Sequence, residues 1–103
     1  MKLKNFEVPL EKIAAISQRW HIQKLSLFGS FLRDDFKPES DMDILVEFEP
    51  GFTPGFLKLY QIEEELADLF DNRRIDLVTP KFLNHRIRDR VLAEAEVCYV
   101  AQR

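Results

Sequence analysis

The chain has 103 residues, a formal net charge of −3 at pH 7 and a hydrophobic fraction of 46%. A chain of this length forms one hydrophobic core, so we predict a single domain over residues 1–103. No apolar run approaches the length of a membrane span and no signal peptide precedes the first predicted helix, so we expect a cytoplasmic protein without a membrane segment. The mildly acidic charge argues against direct nucleic-acid binding.

The first predicted elements are a helix and an apolar strand. We expect residues 1–7 to form a loose or edge segment. Pro9 suits the first turn of a helix, where its missing N–H costs nothing. The helix presents one apolar stripe at helical spacing, formed by Ile13, Ile16 and Trp20. Residues 25–28 then form the first central strand.

A glycine turn and a pair of aspartates follow this strand. The apolar run breaks at Gly29-Ser30, where a short helix begins, and Asp41 and Asp43 stand at the head of a second strand over residues 43–48. Residues two apart in a strand share a face, about 6.5–7 Å apart, so the two carboxylates lie side by side. Magnesium is typically bound by one or two carboxylates together with substrate phosphates. Backbone N–H groups at a glycine turn and helix start attract phosphate, so the stretch combines a phosphate holder with a metal holder.

The remaining elements complete an α/β (α+β) domain. Four segments follow the second strand: a Pro- and Gly-rich loop at 49–55, a helix at 56–70, a strand at 74–78, and a helix from Pro80, before a last strand at 97–100. We therefore predict a small mixed β-sheet flanked by helices. Cys98 is expected to be buried in the last strand, and without a second cysteine it forms no internal disulfide, as in a reducing cytoplasm.

Several side chains have a structural interpretation beside a functional one. Phe52 either covers a nucleotide or packs on the core, and packing is preferred. His21 is expected to be a structural or surface residue, because no second His or Cys stands at metal spacing. His85 lies among basic residues of the last helix and is expected to be exposed. The helix at 56–70 turns an apolar stripe inward, with Glu63, Glu64, Glu65 and Asp68 on its solvated side, and ends at Asp71-Asn72. The last helix has its stripe at Leu83, Ile87 and Val91.

Asp76 is an aspartate inside an apolar strand. Burying a carboxylate costs free energy unless it has a partner. If this strand lies beside the Asp41–Asp43 strand, Asp76 projects to the same face and completes a trio of carboxylates. The alternative is an ordinary residue of an edge strand.

Charge is unevenly distributed along the chain. Residues 39–71 are acidic, with Lys58 as the only base, whereas residues 73–90 are basic. The basic stretch could bind RNA, a triphosphate or an acidic partner, but its arginines do not share one helix face. A solvated helix surface is the preferred interpretation.

Gly29-Ser30, ten intervening residues and Asp41-x-Asp43 together resemble the motif of the DNA polymerase β-like nucleotidyltransferase superfamily. Within it the chain resembles the minimal nucleotidyltransferases (MNT), the antitoxins paired with HEPN-domain toxins. The resemblance implies the polymerase β-like fold and makes Asp76 the third acidic residue. Arg33 stands where the family has an arginine, but Asp34 replaces the glycine that usually follows. Arg33 could alternatively form a surface ion pair with a nearby acid.

The resemblance implies a magnesium-dependent transfer of AMP from ATP to a hydroxyl of a partner protein, the cognate HEPN toxin, in a hetero-oligomer. Asp41, Asp43 and Asp76 are then the catalytic residues and the ligands of two Mg²⁺ ions, which Mn²⁺ could replace. Gly29, Ser30 and Arg33 bind the nucleotide phosphates. Two alternatives stay open: a small-molecule nucleotidyltransferase subunit of the antibiotic-modifying type, and a non-catalytic module that neutralises its partner by contact.

Overall fold

The computed structural model describes residues 2–3, 6–29 and 41–101. The elements in chain order are β1 (Lys2–Leu3), β2 (Phe6–Glu7), α1 (Leu10–Arg19), β3 (Ile22–Phe28), β4 (Met42–Phe48), α2 (Phe56–Leu69), β5 (Ile75–Val78), a 3₁₀ turn (Pro80–Phe82), α3 (His85–Glu94) and β6 (Glu96–Val100). The short helix predicted after Gly29-Ser30 lies outside the described residues.

Four strands form the central sheet in the order β5-β4-β3-β6. Strand β3 runs antiparallel to β4 and β6, whereas β4 and β5 are parallel. A parallel pair needs a crossover connection, and α2 supplies it between β4 and β5. The predicted α/β fold with a mixed sheet is therefore confirmed. Within residues 1–7, expected to be loose or at an edge, β1 and β2 form a separate two-stranded sheet.

The core lies between one face of this sheet and the helices α1 and α2. Alternate residues of the two central strands meet the inner faces of both helices. The buried cluster comprises Val8, Ile13, Ile22, Leu25, Leu27, Met42, Ile44, Val46, Ile62, Leu66, Phe70 and Ile75. Each fully buried aliphatic side chain contributes roughly 1.5–3 kcal/mol through removal from water. Because successive strand residues alternate between faces, the residues between these core positions project to the opposite side of the sheet.

Helix α2 is tied to its neighbours by two acids that the sequence placed on its solvated side. The carboxylate of Glu65 accepts a hydrogen bond from Trp20 Nε1 at 2.9 Å and pairs with Arg19, so it joins α2 to α1. The Leu77 N–H donates to the carboxylate of Glu63. That part of the solvated-side prediction is wrong, because helix periodicity alone does not show where a neighbouring element approaches the border of the apolar stripe.

Two residues in left-handed conformation end α2 where the sequence predicted. Asp71 and Asn72 have φ of 57° and 60°, and the N–H of Asn72 donates to the carbonyl of Ala67 at 2.8 Å. Asparagine and aspartate tolerate this conformation better than other side chains except glycine.

The last helix starts later than predicted. Pro80 opens only the 3₁₀ turn, and α3 begins at His85. The side-chain oxygen of Asn84 accepts a hydrogen bond from the N–H of Arg86 at 2.9 Å, which caps α3. This capping bond satisfies a backbone donor that otherwise has no partner, and it outweighs proline as a start signal. None of the residues of α3 is buried, so its predicted apolar stripe does not form part of the core.

Phe52 packs against His21 and not in the core, where the preferred prediction placed it, since 41% of its surface is exposed. Its ring stacks on His21 with centroids 3.8 Å apart and an interplanar angle of 11°. His21 Nδ1 lies 3.6 Å from Glu49 Oε2, and the Glu49 N–H donates to the His21 carbonyl at 2.9 Å. His21 therefore has the structural role predicted for it, and His85 is exposed at the start of α3.

Cys98 is half-buried in β6. Burial first, and then the charge of Glu96, raise the pKa of its thiol to about 11, so the side chain is a neutral thiol at pH 7. Among the described residues, no helix combines the length and the apolarity that crossing a bilayer requires.

Candidate active site

The parallel pairing of β4 with β5 brings two of the predicted carboxylates together. Asp43 and Asp76 are direct register partners, and the preceding pair is Met42 with Ile75. Paired residues of neighbouring strands lie about 4.8 Å apart and project to the same face. Because Met42 and Ile75 are buried in the core, both aspartates project to the opposite face. The predicted proximity of Asp43 and Asp76 is therefore confirmed.

Gly29 lies against the carboxylate of Asp43. Phe28, at the end of β3, is the register partner of Asp43 on the other side. Gly29 has φ of +76°, and a Cβ at this position would overlap Asp43 Oδ2 and lie 3.0 Å from its Cγ. Glycine is required here for two reasons: the left-handed backbone conformation and the space that the carboxylate occupies. The glycine of the predicted phosphate turn thus also shapes the position of an aspartate.

Asp41 stands directly before β4 and is exposed. The start of the strand beside it is fixed by a hydrogen bond of 2.9 Å from the Met42 N–H to the Arg74 carbonyl. This bond joins the segments that lead into β4 and β5. Asp41 therefore lies at the same edge of the sheet as Asp43 and Asp76, about 6.5–7 Å along the chain from Asp43.

Glu63 of α2 is a further carboxylate near Asp76, and the sequence did not indicate it. Its pKa is raised chiefly by burial and also by the charge of Asp76, while the hydrogen bond from the Leu77 N–H acts in the opposite direction. Strand β5 is an edge strand, so the outward N–H of Leu77 would otherwise have no partner in the sheet. The sequence signal is weak: Glu63 directly follows the buried Ile62 at the border of the apolar stripe.

The carboxylates fit a magnesium ion that is shared with a nucleotide. Among the described residues, no three acidic, histidine or cysteine side chains are close enough to form a complete metal site. Magnesium, however, typically takes only one or two carboxylates and completes its shell with phosphate oxygens and water. Asp43 and Asp76 supply two carboxylates on one face of the sheet. Asp41 supplies a third carboxylate at the same end of the strands.

Two predicted site residues cannot be placed. Ser30 and Arg33, predicted to bind phosphate, lie outside the described residues, as does Asp34. Their roles stay predictions.

A cavity of about 440 Å³ opens at the far end of β4 from Asp43. It is lined by residues from the end of β4, the following loop, the first turns of α2 and the segment after β5. The aromatic and aliphatic members are Val46, Phe48, Pro50, Phe52, Pro54, Leu59 and Pro80. The sequence predicted this loop but not the cavity, since its wall combines four segments that are distant in the chain.

Comparison with known proteins agrees with this geometry. The nucleotidyltransferase domain family matches residues 11–98. Protein adenylyltransferase MntA of Thermococcus cleftensis is 39% identical over 85 residues, which cover 82% of this chain and 81% of the relative. A solved structure of a minimal nucleotidyltransferase is 32% identical, with a TM-score of 0.72 over 92% of this chain and 94% of that chain.

A third similarity concerns the fold alone. A chain from the solved complex of a tri-AMPylated Shewanella oneidensis HEPN toxin with its MNT antitoxin is 22% identical, with a TM-score of 0.63 over 90% of this chain and 71% of that chain.

The class that the fold and the paired aspartates indicate is that of enzymes that transfer nucleotidyl groups. The chain belongs to the nucleotidyltransferase domain family, and its similarities lie with the minimal nucleotidyltransferases. This confirms the resemblance drawn from the Gly-Ser and Asp-x-Asp motifs.

Proposed function

We propose that the chain transfers AMP from ATP to a hydroxyl of a partner protein, and that this partner is a HEPN-domain toxin that it neutralises. The observation that carries the proposal is the register pair Asp43–Asp76, with Gly29 against Asp43. Two adjacent carboxylates on the sheet face opposite the core suit a reaction at a phosphorus atom between two oxygens. The name of the Thermococcus relative and the AMPylated toxin in the Shewanella complex support the choice of AMP and of a protein acceptor.

In the proposed reaction, the acceptor hydroxyl oxygen attacks the α-phosphorus of ATP. A new oxygen–phosphorus bond forms, the bond from the α-phosphorus to the bridging oxygen breaks, and pyrophosphate leaves. Asp76, the more exposed of the register pair, takes the proton of the acceptor hydroxyl or hydrogen-bonds to it. Gly29, Ser30 and Arg33 bind the β- and γ-phosphates, so they hold the leaving group in place.

Asp41, Asp43 and Asp76 would hold the magnesium ions. When bound, the ions neutralise charge on the attacking and leaving oxygens, which is their general role in two-metal phosphoryl chemistry. Asp43 is half-buried between Gly29 and the neighbouring strand, so its carboxylate has a fixed direction. We therefore propose that Asp43 is the central one of the three aspartates that would hold the metal ions.

The proposed setting is the cytoplasm, in a complex of this chain with its acceptor. Cytoplasmic ATP supplies the nucleotide, and the single Cys98 has no need of an oxidising compartment. The proposed acceptor approaches the carboxylate pair at Asp76, which is exposed.

The test is label transfer to the purified cognate HEPN-domain protein. We expect label from α-labelled ATP on the acceptor, none from γ-labelled ATP, and none when EDTA replaces Mg²⁺. Asp43→Asn should abolish labelling while leaving the complex intact, because the substitution keeps the shape of the side chain and removes its charge.

Each alternative gives a different outcome. Toxin neutralisation that Asp43→Asn leaves at the wild-type level, without label transfer, would establish a module that acts by contact. Label on a small hydroxylated molecule and none on the protein acceptor would establish a small-molecule enzyme.

A further inference from the structure

The first turns of α2 expose an apolar surface that the proposed chemistry does not use. Phe56, Leu57 and Tyr60 have exposed fractions of 86%, 83% and 60%. The other large apolar side chains exposed among the described residues, Phe52, Ile87, Leu92, Val97 and Val100, have fractions of 39–53%. Single exposed apolar residues are ordinary, but a contiguous group of large ones marks an interaction site. We call Phe56, Leu57 and Tyr60 the α2 patch.

Helical geometry extends the α2 patch towards the site. Positions i, i+4 and i+7 lie on one helix face, so Phe56 and Tyr60 align with Glu63. Glu63 accepts the N–H of Leu77 and senses the charge of Asp76. One row of side chains therefore leads from the α2 patch to the edge strand β5, whose Asp76 lies on the opposite face of the sheet.

The cavity adjoins the other end of the α2 patch. Leu59 in the second turn of α2 lines it, together with Phe52 and Pro54 of the preceding loop. The loop has a fixed position because Phe52 stacks on His21. A preformed apolar cavity can accept a side chain of a partner that packs on the neighbouring apolar surface. Aromatic residues such as those of the α2 patch are enriched at the centres of protein interfaces.

The charge around the α2 patch selects the kind of partner. Between residues 41 and 71 the chain has nine acidic residues and one basic residue, Lys58. The acids nearest to the α2 patch in the helix are Glu63 and Glu64, and the Tyr60 hydroxyl is hydrogen-bonded to Glu64. A second copy of this chain would bring like charges together across a symmetric interface, which costs free energy. A partner with lysine and arginine around an apolar face fits this surface.

We propose that the α2 patch and the cavity are the docking surface for the acceptor protein, which presents an apolar helix face flanked by basic residues. This inference rests on the proposed function and adds to it the surface that positions the acceptor. Tyr60 of the α2 patch is one helical turn from Glu63, and Glu63 contacts strand β5 beside Asp76. A protein seated on the α2 patch therefore reaches the carboxylate pair by extending around this edge strand to the other face of the sheet. The acidic surroundings attract a basic partner and raise its rate of association.

The experiment compares two double variants in binding to the purified HEPN-domain protein. Phe56→Ser/Leu57→Ser removes the apolar surface, and Ile87→Ser/Leu92→Ser makes the same chemical change on α3. Calorimetry should show at least about 30-fold weaker acceptor binding for the α2 variant, as expected when interface hot spots are lost. The α3 variant should bind as the wild type does. Both variants should bind Mg·ATP normally, because neither alters a residue of the proposed site.

The outcomes separate this inference from the proposed function. Wild-type affinity in the α2 variant, or a loss confined to the α3 variant, would overturn the docking surface and leave the acceptor unchanged. A wild-type chain that does not bind the HEPN-domain protein would overturn both. A wild-type dimer that the α2 variant converts to a monomer in sedimentation would assign the α2 patch to self-association and overturn the proposal.

Discussion

At the scale of single residues, the chemistry depends on contacts that different parts of the chain make with Asp43. The motif indicated Gly29 and Asp43 as functional residues, because glycine and aspartate in that spacing have few structural explanations. Asp76 was indicated by its place in an apolar strand and by the resemblance. It did not indicate that Gly29 leaves room for the Asp43 carboxylate. A contact between a turn and a side chain fourteen positions later has no periodicity, so it appears only in the folded structure.

Gly29→Ala tests this contact. The substitution strains a left-handed residue by about 1–2 kcal/mol and places a methyl group where Asp43 Oδ2 lies. We expect a loss of stability of that order together with a large loss of Mg·ATP affinity and AMP transfer. Denaturant unfolding and calorimetry measure the two effects.

Gly51→Ala is the matched control. Gly51 also has positive φ, +89°, but a Cβ there meets nothing within 4 Å. Gly51→Ala should lose about as much stability as Gly29→Ala but keep the nucleotide affinity of the wild type. Equal nucleotide affinity in the two variants would show that the Asp43 contact has no functional importance.

At the scale of elements, the sequence predicted which helices and strands exist better than where they begin. Strand β4 and helix α2 have strong periodicity and clear boundaries, so they lie within one residue of prediction. α3 was predicted from Pro80, but Asn84 decides its start through a side-chain hydrogen bond. The sequence predicts the same solvated position for all four acids of α2. In the structure, α1 and β5 approach the helix and give two of these acids specific partners.

Glu65→Ala tests the junction of α1 and α2. Glu65 accepts the Trp20 Nε1 hydrogen bond and pairs with Arg19. A hydrogen bond to a charged group contributes about 1.5–3 kcal/mol, so we expect unfolding free energy to fall by that order. Denaturant unfolding is the measurement.

The control is Glu64→Ala, one position away and exposed, which should change stability by no more than about 0.5 kcal/mol. Equal losses in the two variants would mean that the contacts of Glu65 with Trp20 and Arg19 do not stabilise the junction.

At the scale of the whole molecule, the sheet order places the site. Asp43 and Asp76 are 33 positions apart in the sequence, and the α2 crossover makes them register partners. The sequence predicted that Asp43 and Asp76 lie together only if their two strands are neighbours. That the strands are neighbours was implied by the family resemblance. The α2 patch and the cavity had no comparable signal, because exposure of apolar residues depends on how the helix is rotated against the sheet.

The most direct test of the account is AMP transfer by Asp76→Asn, measured beside its ATP affinity. If Asp76 acts at the attacking hydroxyl, it contributes mainly in the transition state, and such a loss lowers turnover more than binding. We predict nearly unchanged Mg·ATP affinity and a fall in the transfer rate of at least about 10²-fold, the lower range for general-base assistance. Asp43→Asn, by contrast, should weaken affinity and transfer together. Transfer at nearly the wild-type rate by Asp76→Asn would contradict the account, because Asp76 would then have no role in the reaction.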